Sequence, residues 1–302
     1  MKIRLGIFVL SLLLFPLLGS LLSGVEWNDL FSCCSTAGMS AESRDFQALL
    51  LTALVLLGCI SLINYILKLR NGNSPFAAQR GYFLVMAAAG AVLGWLLVYL
   101  NLFAGSWSGE PGNSAAQILL RTLLFSLLLS AVLSIRGLLG SFTNLLKFFS
   151  RNIALPAIGN ETLVLLLIPM ATLGLLGGAV WPEKLFWLMW LAPLFLLISL
   201  QLFWNEGTIF SNLKSGGLGR LVCAALSGLV LGNLAVICYR LAGGNLQTGF
   251  HNPLFVQLGY AVFGLLCLQL GDVMAENWRG KGRGKVHQKK KKFPIQVVSE
   301  RA

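Results

Sequence analysis

Long apolar runs separated by short polar segments dominate the pattern along this chain of 302 residues. A helix needs about 20 apolar residues to cross the hydrocarbon core of a bilayer. The runs are too long and too continuous for the strands of a membrane β-barrel, so the pattern predicts helices. Eight segments qualify: 5–23, 47–67, 82–103, 116–135, 161–180, 185–204, 220–242 and 254–274. We therefore expect an all-α, polytopic membrane protein with eight transmembrane helices.

The lysine and arginine residues predict the orientation of these spans. With the N-terminus in the cytoplasm, 19 of them fall on the inner side and four on the outer side. Cytoplasmic loops carry an excess of such residues, so both termini are predicted to be cytoplasmic. Of the four on the outer side, Arg121 and Arg240 are near span ends and are expected to snorkel to the headgroups.

Two pairs of similar segments indicate an internal repeat. Residues 90–98 match residues 228–236 at six of nine positions, and residues 21–27 match residues 175–181 at four of seven. The members of each pair lie four spans apart and in the same order. We therefore expect two parallel four-helix repeats, related by an axis along the membrane normal. The start of the chain also resembles a secretory signal peptide, but the repeat favours a first span that is retained.

The repeat divides the chain into four parts. Residues 1–136 form the first repeat, and its outer loop 28–46 is an insertion because the corresponding loop after residue 181 is much shorter. That loop either contacts a partner or is simply tolerated. An amphipathic linker follows at 137–160, and the second repeat covers 161–276. A basic cytoplasmic tail, 277–302, is predicted to be disordered.

Three pairs of glycines, each pair four positions apart on one helix face, are predicted to let neighbouring helices approach closely. A moving interface between the two halves is the alternative interpretation. The pairs are Gly90 with Gly94, Gly174 with Gly178, and Gly228 with Gly232.

Asn233 is the most prominent polar residue within a span, because an unpaired amide in the middle of a membrane helix is costly. One predicted role is a hydrogen bond to a neighbouring helix. The other is a small binding site shared with Trp95, which the repeat aligns with Asn233. Gln257 and Arg240 are further candidates for binding or packing.

The inner loop 205–220 ends in Gly-Gly-Leu-Gly-Arg directly before a predicted helix. Its backbone N–H groups and Arg220 are therefore candidates for holding a phosphate or a lipid headgroup. The loop lacks the Gly-Lys-Ser/Thr ending of a nucleotide-binding P-loop, and a plain flexible loop is the alternative.

The cysteines and histidines predict neither a metal site nor a cofactor. No Cys-x-x-Cys motif occurs, and the two histidines are His251 and His287, both outside the predicted spans. Cys33, Cys34 and Cys238 are candidate thiols of the outer face. A disulfide between neighbouring Cys33 and Cys34 would be strained, so a disulfide from either of them to Cys238 is the alternative to free thiols.

Composition then narrows the class of function. Apolar residues make up 56% of the chain and charged residues 11%, less than half the soluble share of about 25%, which excludes a soluble domain. The net charge of +12 is concentrated in the tail. There, Lys289 to Lys292 either only anchor the topology in a solvated tail or also attract anionic lipid headgroups, and nucleic-acid binding is disfavoured. No carboxylate lies deep in a predicted span, which argues against an ion-coupled pump.

The sequence is compatible with three functions. The first is a non-catalytic membrane protein that acts as a scaffold, an assembly factor or a partner subunit in the cytoplasmic membrane of a bacterium. The second is a carrier for a lipid-like or weakly polar solute between two pseudo-symmetric halves. The third, a lipid-modifying enzyme at the inner face, rests only on the loop 205–220.

Overall fold

The computed structural model describes residues 41–72, 80–109, 114–142, 160–203, 207–210, 218–249 and 253–278. Several features predicted above lie outside these residues. They are the first span, the inserted loop up to residue 40 with Cys33 and Cys34, most of the linker, residues 205–206 and 211–217 of the inner loop, and the tail beyond residue 278.

Seven helices account for nearly all of the described residues, and each is long and apolar enough to cross a membrane. They are α1 (Ala41–Asn71), α2 (Arg80–Ala104), α3 (Ala115–Gly140), α4 (Asn160–Val180), α5 (Pro182–Phe203), α6 (Leu218–Leu241) and α7 (Pro253–Trp278). The predicted all-α, multi-span class is confirmed, and seven of the eight predicted spans coincide with these helices. The span at 5–23 stays a prediction.

Consecutive helices pack as antiparallel hairpins, α2 with α3, α4 with α5, and α6 with α7. Helix α1 packs on α3 and α6, while α5 packs on α7 and α2. Only Trp181 separates α4 from α5, so these two helices are joined by the shortest connection in the described part of the chain. Both α4 and α5 continue through an internal proline, Pro169 and Pro193 respectively.

Two short strands mark one end of the bundle, which we call the strand end. Strand β1 (Trp107–Gly109) follows α2, strand β2 (Leu246–Thr248) follows α6, and the two pair antiparallel. Gly105 and Gly243 end the two helices with φ angles of 57° and 90°. Glycine adopts this left-handed conformation without steric cost, which makes it the usual residue after a helix C-terminus.

The opposite end, where α1 ends at Asn71 and α6 begins at Leu218, is called the loop end below. Between the two ends lies an apolar core with fully buried leucines from α1, α3, α6 and α7, among them Leu56, Leu129, Leu231 and Leu268. The outward faces are also apolar. Because lipid tails are as apolar as leucine, hydrophobicity alone does not select which helix faces meet; close packing and polar contacts do.

Candidate functional site

The paired glycines lie where two helices come closest. A Cβ atom on Gly94 would overlap the ring of Phe125 in α3, and one on Gly232 would overlap the ring of Tyr260 in α7. A Cβ on Gly174 would lie 2.6 Å from the backbone oxygen of Leu188 in α5. In each hairpin, the missing side chain therefore makes room for the neighbouring helix.

Asn233 forms two reciprocal hydrogen bonds with Gln257 of α7. Its Nδ2 donates to Gln257 Oε1 at 2.7 Å, and Gln257 Nε2 donates to Asn233 Oδ1 at 2.9 Å. Trp95 is bonded within the other hairpin, where its Nε1 donates to Thr122 Oγ1 of α3 at 3.0 Å. The two candidates that the predicted repeat aligns are thus each held by the next helix of their own hairpin.

Two further polar contacts join helices near the loop end. Asn64 of α1 donates to Ser134 Oγ of α3 at 3.0 Å. Gln269 of α7 donates through Nε2 to Gln201 Oε1 of α5, and its own Oε1 accepts the backbone N–H of Ile209 at 3.1 Å. Ile209 is buried and belongs to the central core, so this bond fixes part of the connection between α5 and α6 against α7.

Three buried polar atoms have no hydrogen-bond partner among the described residues. They are Gln47 Oε1, Ser130 Oγ and Gln201 Nε2. These atoms belong to three different helices, α1, α3 and α5.

A charged cluster lies at the strand end. The carboxylate of Asp45 in α1 is 5% exposed and pairs with Arg121 of α3, with Nη2 and Oδ2 2.7 Å apart. The hydroxyl of Tyr239 in α6 donates to the other carboxylate oxygen. Arg121, for which snorkelling is predicted, binds a carboxylate 76 residues away in the sequence. Arg240 is exposed and donates to the backbone oxygen of Leu246 in β2.

A second charged cluster lies at the loop end. Arg220, in the first turn of α6, forms an ion pair with Asp272 of α7. Arg136, in the last turns of α3, lies within electrostatic range of both side chains. Nearby, the Tyr82 hydroxyl of α2 donates to the backbone oxygen of Gly271 at 3.1 Å. Arg220, predicted as a phosphate ligand, is therefore already bound to a carboxylate, and Arg136 is a neighbour that the sequence did not single out.

The cysteines and acids give no metal centre in the described part of the chain, where no group of three His, Cys, Asp or Glu is close enough to hold an ion. Cys59, Cys223, Cys238 and Cys267 are free thiols there. Whether Cys238 meets Cys33 or Cys34 concerns residues outside the described ranges.

No protein-family model, curated protein or solved structure matches this chain.

Proposed function

We propose that the chain is a non-catalytic protein of the cytoplasmic membrane of a bacterium that acts as a scaffold, an assembly factor or a partner subunit. In this proposal, eight spans form two parallel four-helix repeats, and both termini lie in the cytoplasm. The basic tail binds anionic headgroups, and the inserted loop 28–46 is the candidate contact for another membrane protein.

The observation that carries the proposal is the use of polar side chains within the spans. Asn233, Gln257 and Gln269 are each bonded to a side chain of a neighbouring helix. An enzyme acting within the bilayer, or a carrier for a polar solute, needs polar groups that point towards its substrate. Here those groups hold helices together, as expected of a protein whose task is to present a fixed shape.

The proposed repeat is supported by equivalent contacts in the two halves. The sequence match aligns Trp95 with Asn233, 138 positions later. Trp95 bonds to Thr122 of the next helix, and Asn233 bonds to Gln257 of the next helix. Thr122 and Gln257 therefore correspond, with an offset of 135.

Two other contacts follow the same offset. Phe125 and Tyr260 come three residues after Thr122 and Gln257, and their rings fill the space beside equivalent glycines of α2 and α6. Ser134 and Gln269 are also 135 positions apart. Ser134 accepts a hydrogen bond from α1, the helix directly before its hairpin, and Gln269 donates one to α5, the helix directly before its own hairpin. Three independent contacts thus support one alignment of α3 with α7.

The strand register and the order of helices agree with a twofold axis. In the antiparallel pair, Ser108 faces Gln247 and Gly109 faces Leu246. With the offset of 138, Ser108 corresponds to Leu246 and Gly109 to Gln247, so a twofold rotation exchanges the two pairs. Likewise, the contacts of α1 with α3 and α6 correspond to those of α5 with α7 and α2.

Purification with a partner tests the proposed function. The full-length chain carrying an affinity tag is extracted from its own membrane in a mild detergent, and we expect a second membrane protein to be recovered in a fixed ratio. A matched variant lacking residues 28–40, which leaves α1 intact, is expected to lose that protein while its own yield is unchanged. Recovery of the chain alone from both preparations would contradict the proposal.

The pseudo-symmetry also favours a second candidate, a carrier that moves a lipid-like or weakly polar solute between the two halves. The test is a flux assay in proteoliposomes with a fluorescent phospholipid as the probe. If vesicles with the full-length chain exchange the probe no faster than protein-free vesicles, lipid transport is removed from consideration. Faster exchange than in protein-free vesicles, abolished by Asn233→Leu while the variant remains folded, would favour the carrier over the scaffold.

A further inference from the structure

The three residues of the loop-end cluster carry two positive charges and one negative charge. Arg136, Arg220 and Asp272 come from three different helices, α3, α6 and α7. The single carboxylate pairs with Arg220. No hydrogen bond or ion pair of the Arg136 guanidinium is found within the described part of the chain, although both Arg220 and Asp272 are close enough to influence it.

These charges are only partly exposed to solvent. The side chains of Arg220 and Asp272 are 33% and 20% exposed, and Arg136 is also half-buried. A half-buried guanidinium without a hydrogen-bond acceptor loses hydration, and the nearby Asp272 carboxylate is the acceptor of Arg220 rather than of Arg136. Repulsion from the Arg220 guanidinium adds to this cost, and an anion beside Arg136 would relieve both.

The position of the cluster limits what such an anion can be. Arg136 is in the last turns of a membrane helix and Arg220 in the first turn of another, so both lie near the level where the bilayer core meets the headgroups. The first turn of α6 also directs free backbone N–H groups and the positive end of the helix dipole towards this level. Tyr82 and Gly271, bonded to each other, close the side towards α2.

We propose that Arg136 and Arg220 form a binding site for a phosphate group, presented by an anionic phospholipid of the leaflet at the loop end. Arginine suits this ligand because its planar guanidinium donates two parallel hydrogen bonds to phosphate oxygens. Asp272 holds Arg220 in position through the ion pair between them. The site contains no residue of the basic tail 277–302, and it combines residues of both proposed repeats.

The same chemistry would accept a soluble phosphate, and the test separates the two sources. Native mass spectrometry of the full-length chain, exchanged into detergent, measures the binding of added phosphatidylglycerol, with phosphatidylcholine as the neutral lipid. We expect one phosphatidylglycerol to bind more tightly than any phosphatidylcholine. Inorganic phosphate is then added: displacement of the lipid assigns the site to a soluble phosphate, and continued lipid binding assigns it to the phospholipid.

Two arginines of the same end give the matched comparison. Arg136→Gln is expected to weaken phosphatidylglycerol binding roughly tenfold or more, the loss of one charge-assisted hydrogen-bonded contact. Arg70→Gln removes the same charge from an exposed residue that stacks on Phe142, and it is expected to leave the affinity within about twofold. The tail is present in both variants and contributes equally.

Equal affinity of Arg136→Gln and the unaltered chain would overturn the proposal, as would an equal loss in Arg70→Gln. If Arg136→Gln does not fold, Arg136→Lys replaces it, because lysine keeps the charge and loses the two parallel donors. We expect this variant to bind more weakly than the unaltered chain by about threefold. Affinity equal to that of the unaltered chain would then overturn the proposal.

Discussion

Replacing Asn233 by leucine is expected to destabilise the α6–α7 hairpin although both side chains have four non-hydrogen atoms and branch at Cγ. The substitution removes two hydrogen bonds, of 2.7 Å and 2.9 Å, and leaves the Gln257 amide without its partner between the helices. Side-chain hydrogen bonds in membrane proteins contribute about 0.6 kcal/mol each on average, so two are worth about 1.2 kcal/mol. The unpaired amide adds to this, and we expect a total loss of about 1–2 kcal/mol.

The double variant Asn233→Leu/Gln257→Met distinguishes pairing from mere packing. Replacing both partners by apolar groups of similar shape leaves no buried amide unpaired. We therefore expect the double variant to lie within about 0.5 kcal/mol of the unaltered chain, although each single variant is clearly destabilised. Thr122→Val provides a graded control, because it removes one interhelical bond, to Trp95, and should cost about 0.6 kcal/mol.

Reversible unfolding of the full-length chain in mixed micelles measures these differences. Sodium dodecyl sulfate is titrated into a mild detergent, and tryptophan fluorescence follows unfolding. No tryptophan is replaced in any of these variants. If the two single variants were neutral, or if their costs simply added in the double variant, Asn233 and Gln257 would not act as a pair. The claim that polar side chains within the spans hold the helices together would then be wrong.

Three further predictions use other contacts. Gly232→Ala should cost about 1–3 kcal/mol in the same assay because its methyl group would overlap the Tyr260 ring, while Gly259→Ala, with nothing within 4 Å, should be neutral. Asp45→Asn should cost about 1–3 kcal/mol because the Arg121 guanidinium and the Tyr239 hydroxyl lose a buried carboxylate. As the control, Glu183→Gln removes an exposed acid from the first turn of α5 and should not change stability measurably. Reporter fusions at each terminus should both report a cytoplasmic location, and a terminus found outside would contradict the predicted orientation.

The spans were predictable because bilayer thickness fixes the length of an apolar helix, and length is visible in the sequence. The residue at which α1 starts was not predictable in this way. It begins at Ala41, six residues before the predicted span, although this segment contains Arg44 and Asp45. The Asp45 carboxylate is neutralised by Arg121, and a pairing between residues 76 positions apart has no local signature.

The polar contacts were likewise predictable only in part. That Asn233 needs a partner follows from the cost of an unpaired amide in lipid, whereas the choice of Gln257 depends on how α6 and α7 cross. The pairing of β1 with β2 was also invisible, because strands of three residues have no detectable alternation. The loop-end cluster joins Arg136 and Arg220, 84 positions apart, and only the packing of α3 beside α6 brings them together.

The mass of the particle that contains this chain in a native lipid environment tests the proposed function most directly. The full-length chain is extracted from its own membrane into polymer-bounded lipid discs and measured by native mass spectrometry. The proposal predicts a complex whose protein mass exceeds the 32.7 kDa of this chain by that of a second, different membrane protein in fixed ratio. A particle containing the chain alone, with only lipid added, would contradict the assignment as a partner subunit or scaffold.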